Sequence, residues 1–273
     1  MKENFNLKTG YFEDGLPYGR IGNGNKILVS LEGLSFVNEP PSNFELKEFI
    51  KSADVLTEDY TIFLVGRKPN SPANYSYKSM IVDYAKMIHR EFKIPVDVMG
   101  ISTGGHLAQF LAADHPDIVR KLIIISAAFR TSEKGLEIEA RAAEYFKQKN
   151  YVKTLETIFE LIMTSKFIRK FSMVFIRFFI KKIFRDVRYP NDFLNEIRAD
   201  REMNSKNRLK DILAPTLIIC GDLDLCYDFE DVKATAEGIP NAELKIYKGI
   251  GHNLMRNKRK DAKNDILNFL TRS

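Results

Sequence analysis

The sequence of 273 residues contains no tryptophan and only two cysteines, Cys220 and Cys226. Two cysteines do not indicate a disulfide framework, and Cys220 ends an apolar stretch in which it is expected to be a small buried side chain. Neither cysteine has histidine or cysteine neighbours at the spacing that a zinc site requires, so no metal site is expected.

Long apolar segments are also absent. No stretch approaches the roughly 18 uncharged apolar residues that span a membrane, and the first residues lack the apolar region of a secretion signal. We therefore expect a cytoplasmic protein. Its hydrophobic content of 44% is sufficient for the core of one large α/β domain, or of one domain with an insertion.

Positive charge is concentrated in one part of the chain. The formal net charge is +6, and residues 166–188 contain eight basic residues and one acidic residue, whereas the rest of the chain is almost neutral. Five of the basic residues share one side of a helical wheel: Lys166, Lys170, Arg177, Lys181 and Arg188. Because the phenylalanines of the segment lie mostly elsewhere, the pattern predicts a basic amphipathic helix with a wide apolar face.

Two interpretations of residues 166–188 stay open, and they can coexist. The apolar face of the helix packs on neighbouring helices and covers a site, which is the commonest use of an apolar stripe. Alternatively, the helix makes peripheral contact with an anionic membrane surface. No nucleic-acid-binding motif accompanies the charge, so nucleic acid is not expected as a partner.

Short apolar runs alternate with helical patterns along most of the chain. Six strands are predicted: Lys26–Leu31, Tyr60–Val65, Val96–Ile101, Lys121–Ser126, Thr216–Cys220 and Glu243–Tyr247. Four helices are predicted between or after them: Tyr77–Phe92, Gly104–Asp114, Phe229–Glu237 and Asn257–Arg272. The strand runs are continuously apolar, as in parallel strands that are buried on both faces. The alternation predicts an α/β fold with a mostly parallel, doubly wound sheet.

One long gap interrupts this alternation. Residues 131–205 have helical patterns and contain no convincing strand, so they are predicted to form an all-helical insertion. The predicted α/β core then consists of residues 1–130 and 206–273.

The most informative motif is Met99-Gly100-Ile101-Ser102-Thr103-Gly104-Gly105, between a strand-like run and a helix-like run. Gly-x-Ser-x-Gly in this position is the pattern of a nucleophile elbow, a sharp turn that exposes a serine hydroxyl above a parallel sheet. The turn strains the serine backbone and leaves room only for small neighbours, which Gly100 and Gly104 provide. The positive end of the following helix favours a developing oxyanion. The motif therefore predicts acyl transfer through a covalent intermediate on Ser102.

A serine nucleophile requires a base, and the base requires an acid that orients it. In a fold with this elbow, the acid and then the histidine follow the serine, each in a loop after a strand. The loop after the fifth predicted strand contains Asp222 and Asp224, and the loop after the sixth contains His252. The backbone N–H of Thr103, the residue after the serine, is expected to be one of two oxyanion donors.

With this elbow, and with the acid and the histidine in the loops that follow it, the sequence resembles the α/β-hydrolase superfamily. This superfamily has esterase-, lipase- and C–C-hydrolase-like members. The matching pieces are the elbow, Leu31-Glu32-Gly33-Leu34-Ser35, Gly221-Asp222-Leu223-Asp224 and Gly251-His252. The resemblance implies a helical cap over Ser102, Asp224 rather than Asp222 as the acid, and the backbone N–H of Leu34 as the second oxyanion donor. Glu32 occupies the position where the family usually has histidine. This difference does not remove the expected donor, because the donor is the backbone N–H of Leu34.

The expected function is hydrolysis of a carboxylic ester, a small-molecule substrate, by Ser102, Asp224 and His252 without a cofactor. The apolar cap favours a hydrophobic or medium-chain acyl group. Thioesterase and C–C bond hydrolase stay open as alternatives, since the same three residues serve all of these reactions. A ligand-binding sensor is the alternative of another class, because a fold does not by itself determine function. No feature of the sequence sets the oligomeric state.

Overall fold

The computed structural model describes residues 5–163, 169, 173, 184 and 187–272. The strands are β1 Lys8–Tyr11, β2 Pro17–Ile21, β3 Lys26–Leu31, β4 Tyr60–Val65, β5 Val96–Ile101, β6 Val119–Ile125, β7 Thr216–Gly221 and β8 Ala242–Tyr247. The helices are α1 Asn43–Ala53, α2 Tyr77–Glu91, α3 Thr103–Asp114, α4 Glu133–Lys147, α5 Tyr151–Ile162, α6 Pro190–Glu202, α7 Phe229–Gly238, α8 Leu254–Asn257 and α9 Arg259–Thr271.

All eight strands form one sheet in the order β1-β2-β4-β3-β5-β6-β7-β8. The pairs from β4 to β8 are parallel, whereas β2 pairs antiparallel with both β1 and β4. The predicted α/β fold with a mostly parallel sheet is confirmed, with small changes at the strand ends. The sequence pattern does not predict β1 and β2, because both contain glycine and polar residues in place of a continuous apolar run.

Apolar side chains of the central strands alternate between two cores, one on each face of the sheet. In β6, Leu122 and Ile124 belong to the core that includes residues of α2 and α3. The intervening Ile123 and Ile125 belong to the core that includes residues of α1 and α9. Because successive side chains of a strand point to opposite faces, a strand between two helical layers must be apolar throughout.

Helices α4, α5 and α6 lie between β6 and β7 in the chain. The chain leaves and re-enters the α/β core at neighbouring points, where Arg130 and Asn204 form an isolated antiparallel bridge. The helices pack on the loop after β3, and the rings of Phe36 and Phe193 have centroids 4.7 Å apart. The division of the chain into a core and a cap at residues 131–205 stays a prediction.

Two observations bear on membrane contact. No helix among the described residues is long and apolar enough to cross a membrane. The basic amphipathic helix that the sequence predicts over residues 166–188 lies almost entirely outside the described residues. The cytoplasmic location and the peripheral membrane contact therefore stay predictions.

Candidate active site

Ser102 lies at the turn between β5 and α3. Its backbone has φ 54° and ψ −125°, a positive-φ conformation that residues with side chains rarely adopt. The Ser102 N–H donates to the carbonyl of Ile125 at 2.9 Å, and the Ser102 carbonyl accepts the N–H of His106 at 3.1 Å. The neighbouring strand and the first turn of α3 therefore hold the strained conformation in place.

Three glycines allow this turn to form. A Cβ atom on Gly100 would lie 2.3 Å from the carbonyl oxygen of Gly104, and one on Gly104 would lie 2.3 Å from that of Leu31. A Cβ atom on Gly105 would lie 2.8 Å from the Cβ of Ala127. Cβ contacts this short do not occur in proteins, so β5, α3 and the loop after β3 approach this closely only because these side chains are missing.

His252 lies between Ser102 and Asp224. Its Nε2 is 3.0 Å from the Ser102 Oγ, and its Nδ1 is 2.8 Å from the Asp224 Oδ2. The Asp224 side chain is 2% exposed, and its Oδ1 accepts the Cys226 N–H at 2.8 Å. A proton on Nδ1 that faces the carboxylate leaves Nε2 available to accept the hydroxyl proton of Ser102. The structure thus brings together the three residues that the sequence selects.

Asp222, the other acid in the same loop, has a different partner. Its Oδ1 accepts the N–H of Gly249 at 2.6 Å. The next residue, Leu223, donates its N–H to the carbonyl of Ile250 at 2.9 Å. Asp222 therefore joins its loop to the loop that carries the histidine, while Asp224 contacts the imidazole.

The backbone N–H groups of Leu34 and Thr103 lie close to Ser102. Thr103 begins α3, and the first N–H groups of a helix have no acceptor within the helix. Leu34 lines the same cavity as Ser102, and a Cβ atom on the preceding Gly33 would lie 3.5 Å from the Ser102 Cβ. In the part of the chain that the structure describes, neither N–H donates to a protein acceptor. Both groups therefore lack a protein acceptor among these residues, as a donor to an oxyanion must.

The buried guanidinium of Arg67 holds the loop that contains Leu34. Arg67 lies two residues after β4 and donates to the carbonyl oxygens of Glu32 and Gly33. The carbonyl of Gly33 and the N–H of Leu34 belong to one planar peptide group and point in opposite directions. A donor on this carbonyl therefore fixes the direction of the Leu34 N–H.

Glu196 of α6 completes this buried network. It forms an ion pair with Arg67, and both side chains are 0% exposed. Its Oε2 also accepts the N–H of Ser35 at 3.0 Å. Burial raises the pKa of Glu196, while the Arg67 guanidinium acts in the opposite direction. Burial also raises the pKa of Glu32 to about 7, again against the effect of Arg67.

A cavity of about 190 Å³ opens onto Ser102 and His252. Most of its other lining side chains are apolar: Leu34, Ile101, Ile158, Leu161 and Ile162. Three of these belong to α5, so the helices between β6 and β7 provide one wall of the cavity. Apolar walls around a few convergent polar groups are the usual form of a small-molecule site.

Four buried charged residues around this site are missed by sequence reasoning: Arg67, Glu139, Asp200 and Glu196. Each lies in a stretch without a motif, and charged residues of this kind are ordinarily exposed. No local signal in the sequence distinguishes them, because only the fold brings them into the interior.

Two groups of described side chains could share a metal ion. They are His89, His115 and Asp117 at the surface, and Asp224, Cys226 and His252 at the site. In each group the ligand atoms lie within 4.8 Å of one another. In the second group, His252 and Asp224 share a hydrogen bond. The expectation of no metal stays a prediction.

The sequence is similar to known proteins. A family model for the alpha/beta hydrolase fold matches residues 50–257. Monoacylglycerol lipase ABHD6 of Mus musculus is 25% identical over 210 residues, which cover 70% of this chain and 61% of that protein. The chain thus spans less than two thirds of the length of this relative.

Solved structures are similar over almost the whole chain. MGS-M2, an alpha/beta hydrolase enzyme from a Medee basin deep-sea metagenome library, has a TM-score of 0.83 at 16% identity, covering 97% of this chain and 98% of that chain. The enol-lactonase of Burkholderia xenovorans LB400 has a TM-score of 0.79 at 16% identity, covering 97% of this chain and 100% of that chain. At such identities the similarity shows the fold alone.

Proposed function

The chain belongs to the α/β-hydrolase family, and from its site we propose that it is a serine hydrolase that cleaves a carboxylic ester. The observation that carries the proposal is the continuous contact from Asp224 through His252 to Ser102 at a strained elbow. A serine hydroxyl is a weak nucleophile, and an adjacent imidazole that is oriented by a carboxylate is the arrangement that activates it.

In the proposed reaction, His252 Nε2 takes the hydroxyl proton as the Ser102 Oγ attacks the ester carbonyl carbon. Asp224 stabilises the imidazolium that forms, and the N–H groups of Leu34 and Thr103 bind the oxyanion. When the tetrahedral intermediate collapses, His252 gives its proton to the leaving alcohol, and an acyl-enzyme is left. Water then attacks the acyl-enzyme by the same steps, which releases the carboxylic acid and restores Ser102.

We propose a hydrophobic ester with a medium-chain acyl group as the substrate. The apolar wall of Ile158, Leu161 and Ile162 supports this assignment, because burying hydrocarbon contributes about 25 cal/mol per Å². The name of the mouse relative, monoacylglycerol lipase, supports an ester of a fatty acid with a small alcohol.

A fluorophosphonate probe tests the proposed nucleophile. We expect wild-type protein to be labelled and Ser102→Ala to remain unlabelled. The control Ser79→Ala, on α2, should be labelled like wild type. Labelling that survives in folded Ser102→Ala would overturn the assignment.

A series of p-nitrophenyl esters tests the acyl preference and the reaction class. We expect kcat/KM to increase at least about tenfold from acetyl to octanoyl ester, since each buried methylene contributes about 0.8 kcal/mol. A preference for short, polar acyl groups would contradict the proposed substrate. Release of one equivalent of product without further turnover would indicate a ligand-binding sensor instead of an enzyme.

A further inference from the structure

The proposed reaction leaves one acidic residue of the cavity without a role. Glu139 of α4 lines the cavity that opens onto Ser102 and His252, yet its side chain is almost completely buried, with the residue 5% exposed. Its Oε2 has no hydrogen-bond partner among the described residues. An unpaired carboxyl group in an otherwise mostly apolar wall reduces stability unless a ligand supplies its partner.

A second buried acid, Asp200 of α6, is close enough to Glu139 to interact with it electrostatically. Asp200 is 1% exposed, and its Oδ2 accepts the hydroxyl proton of Thr103 at 2.7 Å. Burial raises the pKa of both carboxyl groups, and the negative charge of Asp200 raises that of Glu139 further. Both effects favour the protonated form of Glu139, and a protonated carboxyl group both donates and accepts hydrogen bonds.

The lining of the cavity includes both apolar side chains and a carboxyl group. Ile158, Leu161 and Ile162 of α5 suit the hydrocarbon part of a substrate, whereas Glu139 offers a carboxyl group. A hydroxyl group is the matching partner, because it also donates and accepts.

We propose that Glu139 binds a free hydroxyl group on the alcohol part of the ester, so that the preferred substrate is a monoacylglycerol-type ester with an unesterified polyol. The proposal rests on the ester hydrolysis proposed above and names its substrate class. Glu139 is then a specificity-determining residue. Asp200 is less suitable for a test, because its loss would also disturb Thr103, a proposed oxyanion donor.

The test compares two esters that share an acyl chain, 1-octanoylglycerol and methyl octanoate. We expect Glu139→Leu to lower kcat/KM for the glycerol ester about tenfold, the effect of one lost hydrogen bond, and to leave the methyl ester within about twofold. Glu139→Gln should keep most of the discrimination, since an amide also donates and accepts. The control Glu137→Leu, on the exposed side of α4, should leave the ratio of the two esters unchanged.

Equal losses for both esters, or no loss for the glycerol ester, would overturn the proposal. A third result would also overturn it: wild type prefers an aminoethyl ester to the glycerol ester, and Glu139→Gln abolishes that preference. Glu139 would then be an anionic site for a cation.

A binding measurement keeps the inference testable if no ester is hydrolysed, a result that would contradict only the proposed reaction. In a Ser102→Ala background, calorimetry compares 1-O-octylglycerol with octyl methyl ether. We expect Glu139→Leu to weaken binding of the alkylglycerol about tenfold and to leave the ether unchanged. Equal binding of the alkylglycerol with and without Glu139 would overturn the inference.

Discussion

At the scale of single residues, the two acids of one loop have separate contacts although only one residue lies between them. Asp224 holds the His252 imidazole with both carboxylate oxygens, at 2.8 and 3.1 Å. Asp222 holds the Gly249 N–H of the neighbouring loop. These contacts support Asp224 as the acid of the proposed mechanism, whereas Asp222 links its loop to the loop that carries His252.

We expect Asp224→Asn to lower kcat for ester hydrolysis about 10³- to 10⁴-fold, because the amide no longer stabilises the imidazolium or selects its tautomer. Asp222→Asn should cost less than about tenfold, since its amide oxygen can still accept the Gly249 N–H. Steady-state kinetics on both variants, with circular dichroism to establish folding, check this. A larger loss in folded Asp222→Asn would show that the acid is wrongly assigned.

His106 is a buried histidine, and we expect it to affect stability rather than catalysis. Its Nε2 is 2.8 Å from the carbonyl oxygen of Phe129 and donates to it, and burial lowers the pKa of His106 to about 4. The unfolded state takes up the proton near pH 6.5, whereas the folded state resists protonation until about pH 4. Unfolding is therefore favoured as the pH falls through this interval.

We expect wild type to lose about 3 kcal/mol more unfolding free energy than His106→Gln between about pH 7.5 and about pH 4, because the glutamine does not titrate. Urea denaturation at both pH values measures the difference. The matched control is His89→Gln, which replaces an exposed histidine and should follow wild type. A parallel decline in wild type and His106→Gln would refute the role of His106.

At the scale of elements, the loop after β3 is held from two sides. Arg67, after β4, donates to its carbonyl oxygens, and Glu196 of α6 accepts the N–H of Ser35. Because these two side chains also pair with each other, the position of α6 is tied to the direction of the Leu34 N–H. A helix outside the α/β sheet thereby takes part in shaping the proposed oxyanion site.

A double variant tests this connection without leaving a buried charge unpaired. We expect Arg67→Gln with Glu196→Gln to lower kcat about 10- to 100-fold while KM changes little, because the Leu34 N–H acts mainly on the oxyanion of the transition state. Steady-state kinetics with a p-nitrophenyl ester measure both constants.

The control for this variant removes a different ion pair, in which only one of the two side chains is buried. Asp97 is 0% exposed and pairs with Arg120 at 2.5 Å, at the amino-terminal part of β5 and β6 and away from Ser102. Asp97→Asn with Arg120→Gln should leave kcat within about twofold, although it costs stability. A rise in KM with unchanged kcat in the Arg67 and Glu196 variant would refute the positioning role.

At the scale of the whole molecule, charge is distributed unevenly, and residues 166–188 carry an excess of positive charge that exceeds the net charge of +6. We expect the protein to bind vesicles that contain anionic phospholipid and not neutral vesicles. Binding should weaken in salt, because the Debye length falls from about 10 Å at 0.1 M to about 3 Å at 1 M. Co-sedimentation with vesicles of both compositions measures this.

Charge variants locate the contact. The first variant changes three lysines of the segment to glutamine: Lys166, Lys170 and Lys181. It should weaken vesicle binding at least about tenfold, since each basic residue near an anionic membrane surface contributes about 1 kcal/mol. The control variant should leave binding unchanged. It changes three exposed lysines elsewhere in the chain to glutamine: Lys248, Lys258 and Lys260. Equal losses in both variants, or no binding by wild type, would contradict membrane contact through this segment.

The alternation of strands and helices and the elbow around Ser102 could be predicted from the sequence alone. These are local patterns: a strand buried on both faces is apolar throughout, and a sharp turn requires small neighbours. The edge strands β1 and β2 escape such reasoning, because a strand at the edge of a sheet need not be continuously apolar.

The side chains that meet across the fold could not all be predicted from the sequence. The order of the chain leaves Asp222 and Asp224 as equal candidates and the family resemblance favours Asp224. In the fold, Asp224 contacts the imidazole of His252 and Asp222 contacts the Gly249 N–H. Arg67 and Glu196 are 129 residues apart in the chain and in contact in the fold. Local periodicity does not encode such pairs, because burial and electrostatic interaction depend on distances across the folded molecule.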